Sequence, residues 1–514
     1  MQVKHLYSHN GNRTQMCVPF LQIRYIRDSF EKCIFAHIPN TMKLQSILLA
    51  SILSLGITCT TQAQTIKQKL EQSFSTFTKH PSLTNGIAAL HVINSETGET
   101  LFEKNTTVGL PTASTLKVIT SITALDILGK DYTYKTKLYY TGEIDSVGIL
   151  HGDIVVHGEG DPTLGSHRYA HTKEDVILAK WKKAIIDVGI TSVDGRIIAD
   201  DSMYQGIDVP GGWIWTDMGN YYGAGISSLN WRENSSGINF QAGRIQDDAP
   251  ISNTTSDLSY LKLVNQVKVG RPGSGDNVYA YSAPYSEKIV IKGTYGQNLK
   301  KTIEISLPDP AYDLAFNFQK VLATDSIEIL QGITTGQRMA EEGQKVPQAS
   351  KELDTHVSPP LHEIVHWFNQ RSINLYGEAL LRSIAFISGG KTSTYDGAQY
   401  VKKYWEQKLN LKSSELDIVD GSGLSPQNNV TTNAMNQIMQ YALKRPWFSE
   451  FQKSLPTYNE MTMKSGTING TLGYTGYHTA KDGKKYTFSL LVYNYDGGAS
   501  QMRQRMFTLL NTLK

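Results

Sequence analysis

Near the start of the folded part of the chain, Ile66, Leu70, Phe74 and Phe77 recur at helical spacing and predict one amphipathic helix. The period then shortens. Gly86–Val92 and Thr100–Glu103 read as strands joined around Thr97-Gly98, a hairpin. A second helix is predicted from about Ser114 to Leu128, with Val118, Ile122 and Leu125 on one face and Gly129 as its stop. The far end of the chain matches this one. Met461–Thr467 reads as a strand, and Tyr474–Ala480 and Tyr486–Tyr495 read as strands joined across Asp482-Gly483, a strong hairpin signal. A final helix carries Met502, Met506, Leu509 and Leu513. Each end supplies part of what a sheet flanked by helices needs, so the pattern predicts one α+β domain closed by both ends of the chain.

The middle has a different texture. From about Tyr132 to Thr335 short strand-like runs alternate with Gly, Pro, Asn and Asp turns, which predicts a large, mostly-β insertion. One helix stands out at Lys173–Val188, entered through Thr172 with Asp175 in its first turn. Gly336–Pro360 is polar and ends in Ser358-Pro359-Pro360, a return boundary. The expected division is a discontinuous domain of residues 64–131 and 345–514 around an insertion at 132–344. Ahead of it, Met42-Lys43, an apolar run from Ile47 to Ile57 and Thr61-Gln62-Ala63 form a signal peptide pattern over 42–63. Residues 1–41 then read as an extension from a misplaced start codon, and the mature protein is expected to be exported.

Composition narrows the chemistry. Of 514 residues, 40% are hydrophobic and 19% charged, an ordinary globular balance able to bury real cores. No apolar run reaches the roughly 18 residues of a spanning helix, so at most peripheral membrane contact is expected. The net charge of +3 comes from the first 63 residues; the remainder holds 44 basic and 45 acidic residues. A polyanion-binding surface, and with it a nucleic-acid partner, has no support. Cys17, Cys33 and Cys59 all lie in the leader. A thiol nucleophile, a disulfide framework and a Cys-ligated zinc site are therefore excluded from the rest.

Three short patterns could carry catalysis. Ser114-Thr115-Leu116-Lys117 puts a hydroxyl and an amine about one turn apart on a helix start, where amides favour a developing oxyanion and a lysine that has lost its proton can act as base. The same spacing occurs at Ser29/Lys32, Ser259/Lys262 and Ser388/Lys391, and an N-cap beside a solvated lysine fits it equally. Lys464-Ser465-Gly466-Thr467 lies on a predicted strand, where a lysine can offer a fixed charge to a carboxylate and the glycine admits a substrate backbone. Ser372-Ile373-Asn374 pairs a hydroxyl with an amide, as Ser228-Leu229-Asn230 also does.

The order decides between these readings. Ser-x-x-Lys, then Ser-x-Asn, then Lys-Ser/Thr-Gly is the signature of penicillin-binding proteins and related β-lactamases. The chain resembles the serine D-alanyl-D-alanine carboxypeptidase/endopeptidases, the class C low-molecular-mass penicillin-binding proteins. The likeness covers nearly all of the mature chain, including Gly160-Asp161-Pro162-Thr163-Leu164, Asp200-Asp201-Ser202, Gly219-Asn220-Tyr221-Tyr222-Gly223-Ala224, the run from Ser372 to Leu381, and Asp420-Gly421-Ser422-Gly423-Leu424-Ser425. Ser465 replaces the commoner Thr, and Gly377 stands where Ala is usual. The resemblance implies a β-lactamase/transpeptidase-like penicilloyl-serine transferase domain with an antiparallel sheet flanked by helices, interrupted by the class's extra domains. It implies catalysis by Ser114, Lys117, Ser372 and Asn374, substrate binding by Lys464, Ser465, Gly466 and Thr467, and no metal or organic cofactor. The implied substrate is the D-Ala-D-Ala end of peptidoglycan stem peptides in the periplasm, with β-lactams as inhibitors.

Three alternatives remain open from sequence. A β-lactamase shares the motifs, although its gap between them is far shorter. A non-catalytic peptidoglycan-binding module would share the surface. A zinc metallopeptidase could use His362-Glu363-Ile364-Val365-His366, a formal H-E-x-x-H, for which the plain reading is a surface helix leading into the Ser-x-Asn segment. Trp213, Trp215, Tyr221 and Tyr222 are expected mainly in packing, and Asp161 and Asp420 in turns.

Overall fold

The computed structural model describes residues 64–204 and 209–514. The expected leader, signal peptide and 1–41 extension lie outside the described residues, as do Ser29 and Lys32. Helix α1 (Ile66–Thr78) begins at a capping box in which Thr65 and Gln68 satisfy each other's backbone amides. Strands β1 (Ile87–Asn94) and β2 (Thr100–Lys104) form the first hairpin. From the C-terminal end come β3 (Thr457–Tyr458), β4 (Met461–Ile468), β5 (Thr471–Thr479) and β6 (Lys485–Tyr493). They join in one antiparallel sheet of order β2-β1-β6-β5-β4-β3. β1 pairs with β6 along its whole length, from Ile87 opposite Tyr493 to Asn94 opposite Tyr486. The two chain ends thus share the centre of the sheet. Gly483, at φ +85°, turns the β5–β6 hairpin through a conformation that favours glycine.

Both faces of this sheet are covered, which is why β1 is buried over Ala88–Ile93 instead of alternating. On one face Leu70, Phe74 and Phe77 of α1 and Met502, Met506 and Leu509 of the last helix (Ala499–Leu510) pack with Leu90, Val92, Met463, Phe488 and Leu490. Helices α2 (Lys117–Ile127), α3 (Leu361–Arg371), α4 (Asn374–Gly389) and α5 (Thr432–Ala442) build a second core around Ile119, Ile122, Phe368, Tyr376, Leu380 and Met435. α5 closes it onto the sheet: the Asn436 amide donates to the His91 carbonyl and accepts from the Ser489 hydroxyl. Every residue of α2 from Lys117 to Leu125 is buried, so any lysine there must be satisfied from within the protein.

The intervening chain forms a five-stranded mixed sheet from 333–335, 197–200, 154–158, 135–140 and 351–357, with a small four-stranded sheet beside it. Two three-stranded sheets fall within 235–306 and have a separate core of Ile238, Val267, Ile289 and Ile305. Three sequence expectations need correction. Lys351–Val357 pairs with Lys135–Tyr140, which carries the insertion's sheet past the expected return at residue 345. The helix at Glu174–Asp187 is entered from Lys173, and the Thr172 hydroxyl instead donates to the carbonyls of Ser166 and Tyr169. A second long helix, Pro310–Ala323, was missed although its start was written locally: Asp309 accepts from the Tyr312 amide and Pro310 fills the first helical position.

Candidate active site

The site forms where the start of α2 meets β4, α4 and the loop 420–425. The predicted helix from Ser114 divides in two: a 3₁₀ turn over Ala113–Leu116 runs directly into α2. Ala113 sits at φ +45°, a left-handed conformation uncommon for a residue with a Cβ. β4 lies against this turn. A Cβ at Gly466 would lie 2.7 Å from the Thr112 carbonyl oxygen, 2.9 Å from the Thr115 nitrogen and 3.0 Å from the Ser114 nitrogen. Only a glycine lets the strand come this close.

Ser114 and Lys117 meet as their spacing requires, with Lys117 Nζ donating to Ser114 Oγ at 3.0 Å. Lys117 also donates to Asn374 Oδ1 at 2.7 Å and to the Ser422 carbonyl at 2.6 Å. Protonated, this fully buried amine donates to all three; uncharged, it keeps the bonds to Asn374 and Ser422 and accepts from the Ser114 hydroxyl. Burial pushes its pKa well below the ordinary lysine value, and the charge of nearby Lys464 adds to the shift. An uncharged amine one hydrogen bond from a serine hydroxyl can accept its proton.

Asn374 begins α4. Its amide donates to the Tyr222 carbonyl at 2.7 Å, so both ends of the side chain are fixed. Ser372, just before it, caps the end of α3 in a left-handed conformation at φ +57°. Ser114, Ser372, Asn374 and Thr467 line one cavity of about 490 Å³, together with Tyr221, Tyr222 and Asp217 from the insertion. Lys464 and Gly466 share the face of β4 that meets the Ala113–Leu116 turn. Lys464 is buried behind the cavity rather than displayed in it; its Nζ donates to the Ser465 carbonyl, and burial pushes its pKa down to about 7.

Sequence reasoning missed the floor of the site. Asp420 accepts from the amides of Ser422, Gly423 and Ser425, from Asn428 and from the indole of Trp213. It is a turn residue, as expected, but its turn aims the Ser422 carbonyl at Lys117. Glu378, one turn along α4 from Asn374, accepts the Gly421 amide with both carboxylate oxygens at 3.1 Å. Burial, with Asp420 close by, pushes the pKa of Glu378 up to about 8. Gly377 explains its own departure from the usual Ala: a Cβ there would lie 2.8 Å from the Gly421 carbonyl oxygen. Packing was the main expectation for the aromatics. Trp213 is buried, but Tyr221 and Tyr222 line the cavity and Trp215 is exposed.

The rival motifs are not brought to such a site. Ser259 and Lys262 are exposed. Ser228 and Asn230 are buried in the insertion, where Asn230 accepts from the Ser227 amide and donates to the Asp161 carbonyl. His362 and His366 lie on α3; His362 Nδ1 is 3.1 Å from the Lys130 carbonyl and His366 is exposed beside Trp367. Among the described residues no group of three or more His, Cys, Asp or Glu side chains is placed to hold a metal ion.

Residues 70–513 match the D-Ala-D-Ala carboxypeptidase 3 (S13) family. The chain belongs to this family. As an S13 member it is a serine-type D-Ala-D-Ala carboxypeptidase and a class C low-molecular-mass penicillin-binding protein. It is 24% identical to the D-alanyl-D-alanine carboxypeptidase of Actinomadura sp. (strain R39), over 84% of this chain and 82% of that relative. The crystal structure of penicillin binding protein 4 (dacB) from Haemophilus influenzae shares the fold, with a TM-score of 0.71 at 20% identity over 88% of this chain and 98% of that one. The same H. influenzae protein complexed with a novel β-lactam superposes with a TM-score of 0.65 at 18% identity, over 87% and 98% of the two chains. The α+β penicilloyl-serine transferase fold expected of an S13 protein is the one observed.

Proposed function

We propose that this carboxypeptidase works in the periplasm on peptidoglycan stem peptides through an acyl-enzyme on Ser114, opens D-Ala-linked cross-links as well, and is blocked by β-lactams. The observation that carries the reading is the 3.0 Å contact between Ser114 Oγ and a buried Lys117 amine whose pKa is pushed down. Ser114 Oγ attacks the carbonyl of the penultimate D-Ala while Lys117 takes its proton. The amides of Ser114 and Thr467 hold the oxyanion. As the peptide bond breaks, Ser372 relays a proton to the leaving amine, and Asn374 holds the acyl-side amide. Thr467 meets the terminal carboxylate from the cavity wall, and the charge of buried Lys464 draws it there. Water then attacks the acyl carbonyl, Lys117 takes a proton from it, and that proton passes to Ser114 Oγ as the acyl bond breaks. A β-lactam enters the same path but leaves slowly. The β-lactam complex of the H. influenzae neighbour supports that last step, and the signal peptide pattern supports export. No helix of the described residues is long and apolar enough to cross a membrane.

The test is labelling with a fluorescent penicillin, followed by peptide mapping. One stable adduct on Ser114 is expected. An adduct on any other serine overturns the site. Rapid release of the drug would make the protein a β-lactamase, and no adduct at all would leave a binding module. A second expected outcome concerns Gly466→Ala. Its Cβ must displace the Ser114 turn, so the labelling rate should fall on the order of 10²-fold, the cost of misplacing a reacting atom by about 1 Å. Stopped-flow quenching of the label measures it. An unchanged rate would show that the close approach of β4 does not position Ser114.

A further inference from the structure

Three of the exposed aromatic side chains, Trp215, Tyr221 and Tyr279, belong to the insertion. Trp215 is 56% exposed, Tyr221 52% and Tyr279 44%, and Tyr221 lines the catalytic cavity. Trp215 opens a short helix (Trp215–Met218) that packs on the strand Asp276–Tyr281. Tyr279 and Tyr281 lie two apart on that strand and so share its outward face, while Val278 and Ala280 are buried. The Trp215 and Tyr281 rings stand 6.5 Å apart, tilted by 35°. Tyr221, against Tyr222 at 5.4 Å, continues the surface to the lip of the cavity, which Ile214 and Asp217 also line. The shelf is therefore continuous with the site that holds Ser114.

Charged groups are set among the rings. Lys292 Nζ lies 6.0 Å from the centre of the Tyr281 ring, Lys301 pairs with Asp276 at the start of the same strand, and Asp217 and Glu304 line the adjoining cavity wall. An apolar helix or a lipid tail would strip water from these charges at a cost. A chain of amino-sugar rings suits them: each ring offers a C–H face to stack on an aromatic ring, and a rim of hydroxyls and amides to meet the charged groups.

We propose that Trp215, Tyr279 and Tyr281 form a saccharide subsite that binds the glycan strand from which the stem peptide hangs. The inference rests on the stem-peptide reading above and places the rest of that polymer on the protein. Its consequence is a preference for polymer-attached over free stem peptides.

The double variant Trp215→Ala/Tyr279→Ala tests it. D-Ala release is followed from a free pentapeptide and from uncross-linked glycan strands carrying the same pentapeptide. Sedimentation with strands stripped of their peptides measures binding directly. For the variant, kcat/KM on the polymer should fall about tenfold through KM, and binding to stripped strands should weaken by a similar factor. Free-pentapeptide turnover and penicillin labelling should stay within about twofold of wild type, which also reports an intact fold. Trp215→Phe/Tyr279→Phe should retain most of the polymer preference. Equal losses on both substrates, or no loss on the polymer and unchanged binding to stripped strands, overturn the subsite. Wild-type protein that bound stripped strands but released D-Ala from neither substrate would overturn the stem-peptide reading and leave the saccharide subsite standing.

Discussion

Ser114→Ala is expected to remove D-Ala release and penicillin labelling together, by a factor of at least about 10⁴. The size of the loss follows from what surrounds the hydroxyl. Lys117 Nζ keeps its bonds to Asn374 Oδ1 and the Ser422 carbonyl when Oγ is gone, so the base is intact but has no proton to take. Ser372 lines the same cavity, yet the lysine makes no hydrogen bond to it. Alanine suits the 3₁₀ turn, and the flanking Ala113, Thr115 and Leu116 remain buried as they are. The melting temperature should therefore move by only a few degrees. Intact-protein mass after penicillin and chromatography of released D-Ala check the two activities. Labelling of the variant at the wild-type rate would move the nucleophile to another residue, with Ser372 the first to map.

How much of this could be read beforehand depends on where each piece of information resides. Side chains that pair locally were legible. The 3.6-residue period of Leu70, Phe74 and Phe77, the Asp482-Gly483 turn and the three-residue gap from Ser114 to Lys117 each act over a few neighbouring residues, and each is found where the pattern put it. The approach of Ser372–Asn374 to Ser114 across more than 250 residues was not encoded in any local pattern; only the order of the motifs, matched to a family, predicted it. Backbone contributions were invisible. The Ser422 and Tyr222 carbonyls are fixed by main chain that any residue could supply, and their aim depends on a fold that brings distant segments together. Glu378 could have been noticed as an acid inside an apolar helix, spaced one turn from Asn374. Its role needed the Gly421 amide, which the sequence places 43 residues away.

These hidden contacts explain why so polar a site is rigid. Lys117 faces Ser114, Asn374 and Ser422 on three separate elements, and each is itself restrained: Ser114 by the close approach of Gly466, Asn374 by Tyr222, and Ser422 by the Asp420 turn that Glu378 holds. A second tie reaches the insertion. Tyr376, two residues after Asn374, donates to Glu233, which also pairs with Arg168. Glu233 lies in a left-handed stretch with Arg232 and Asn234, at φ values of +54°, +56° and +52°. That conformation is unfavourable for such residues, and the buried Arg168–Glu233–Tyr376 bonds offset it. The insertion thus grips the helix that carries Asn374, which fits a site whose cavity wall the insertion also supplies.

Lys117→Met should slow penicillin acylation by roughly 10²–10⁴-fold, the range for losing a positioned general base, while the protein stays folded. Methionine fills much of the lysine's volume without its charge, so the buried end of α2 keeps its packing. The wild-type pH profile should carry two limbs. Acylation rises with pH as Lys117 sheds its proton, and this happens far below the ordinary lysine pKa because burial disfavours the cation. On the alkaline side KM for a substrate carboxylate should rise as Lys464, at about 7, loses its charge. Lys117→Met abolishes the first limb and leaves the second. Stability supplies an independent check. A lysine whose folded pKa lies below its unfolded value binds fewer protons in the native state, so unfolding takes up protons and stability climbs with pH between the two values. For Lys117 the climb is about 1.4 kcal/mol per pH unit well between the two values and flattens as pH passes the unfolded pKa near 10.4. In urea unfolding from pH 7 to 10 the wild type should gain stability on Lys117→Met along this slope. A gap between the two proteins that stays constant with pH would mean that Lys117 is charged in the folded enzyme, and a charged Lys117 is no base.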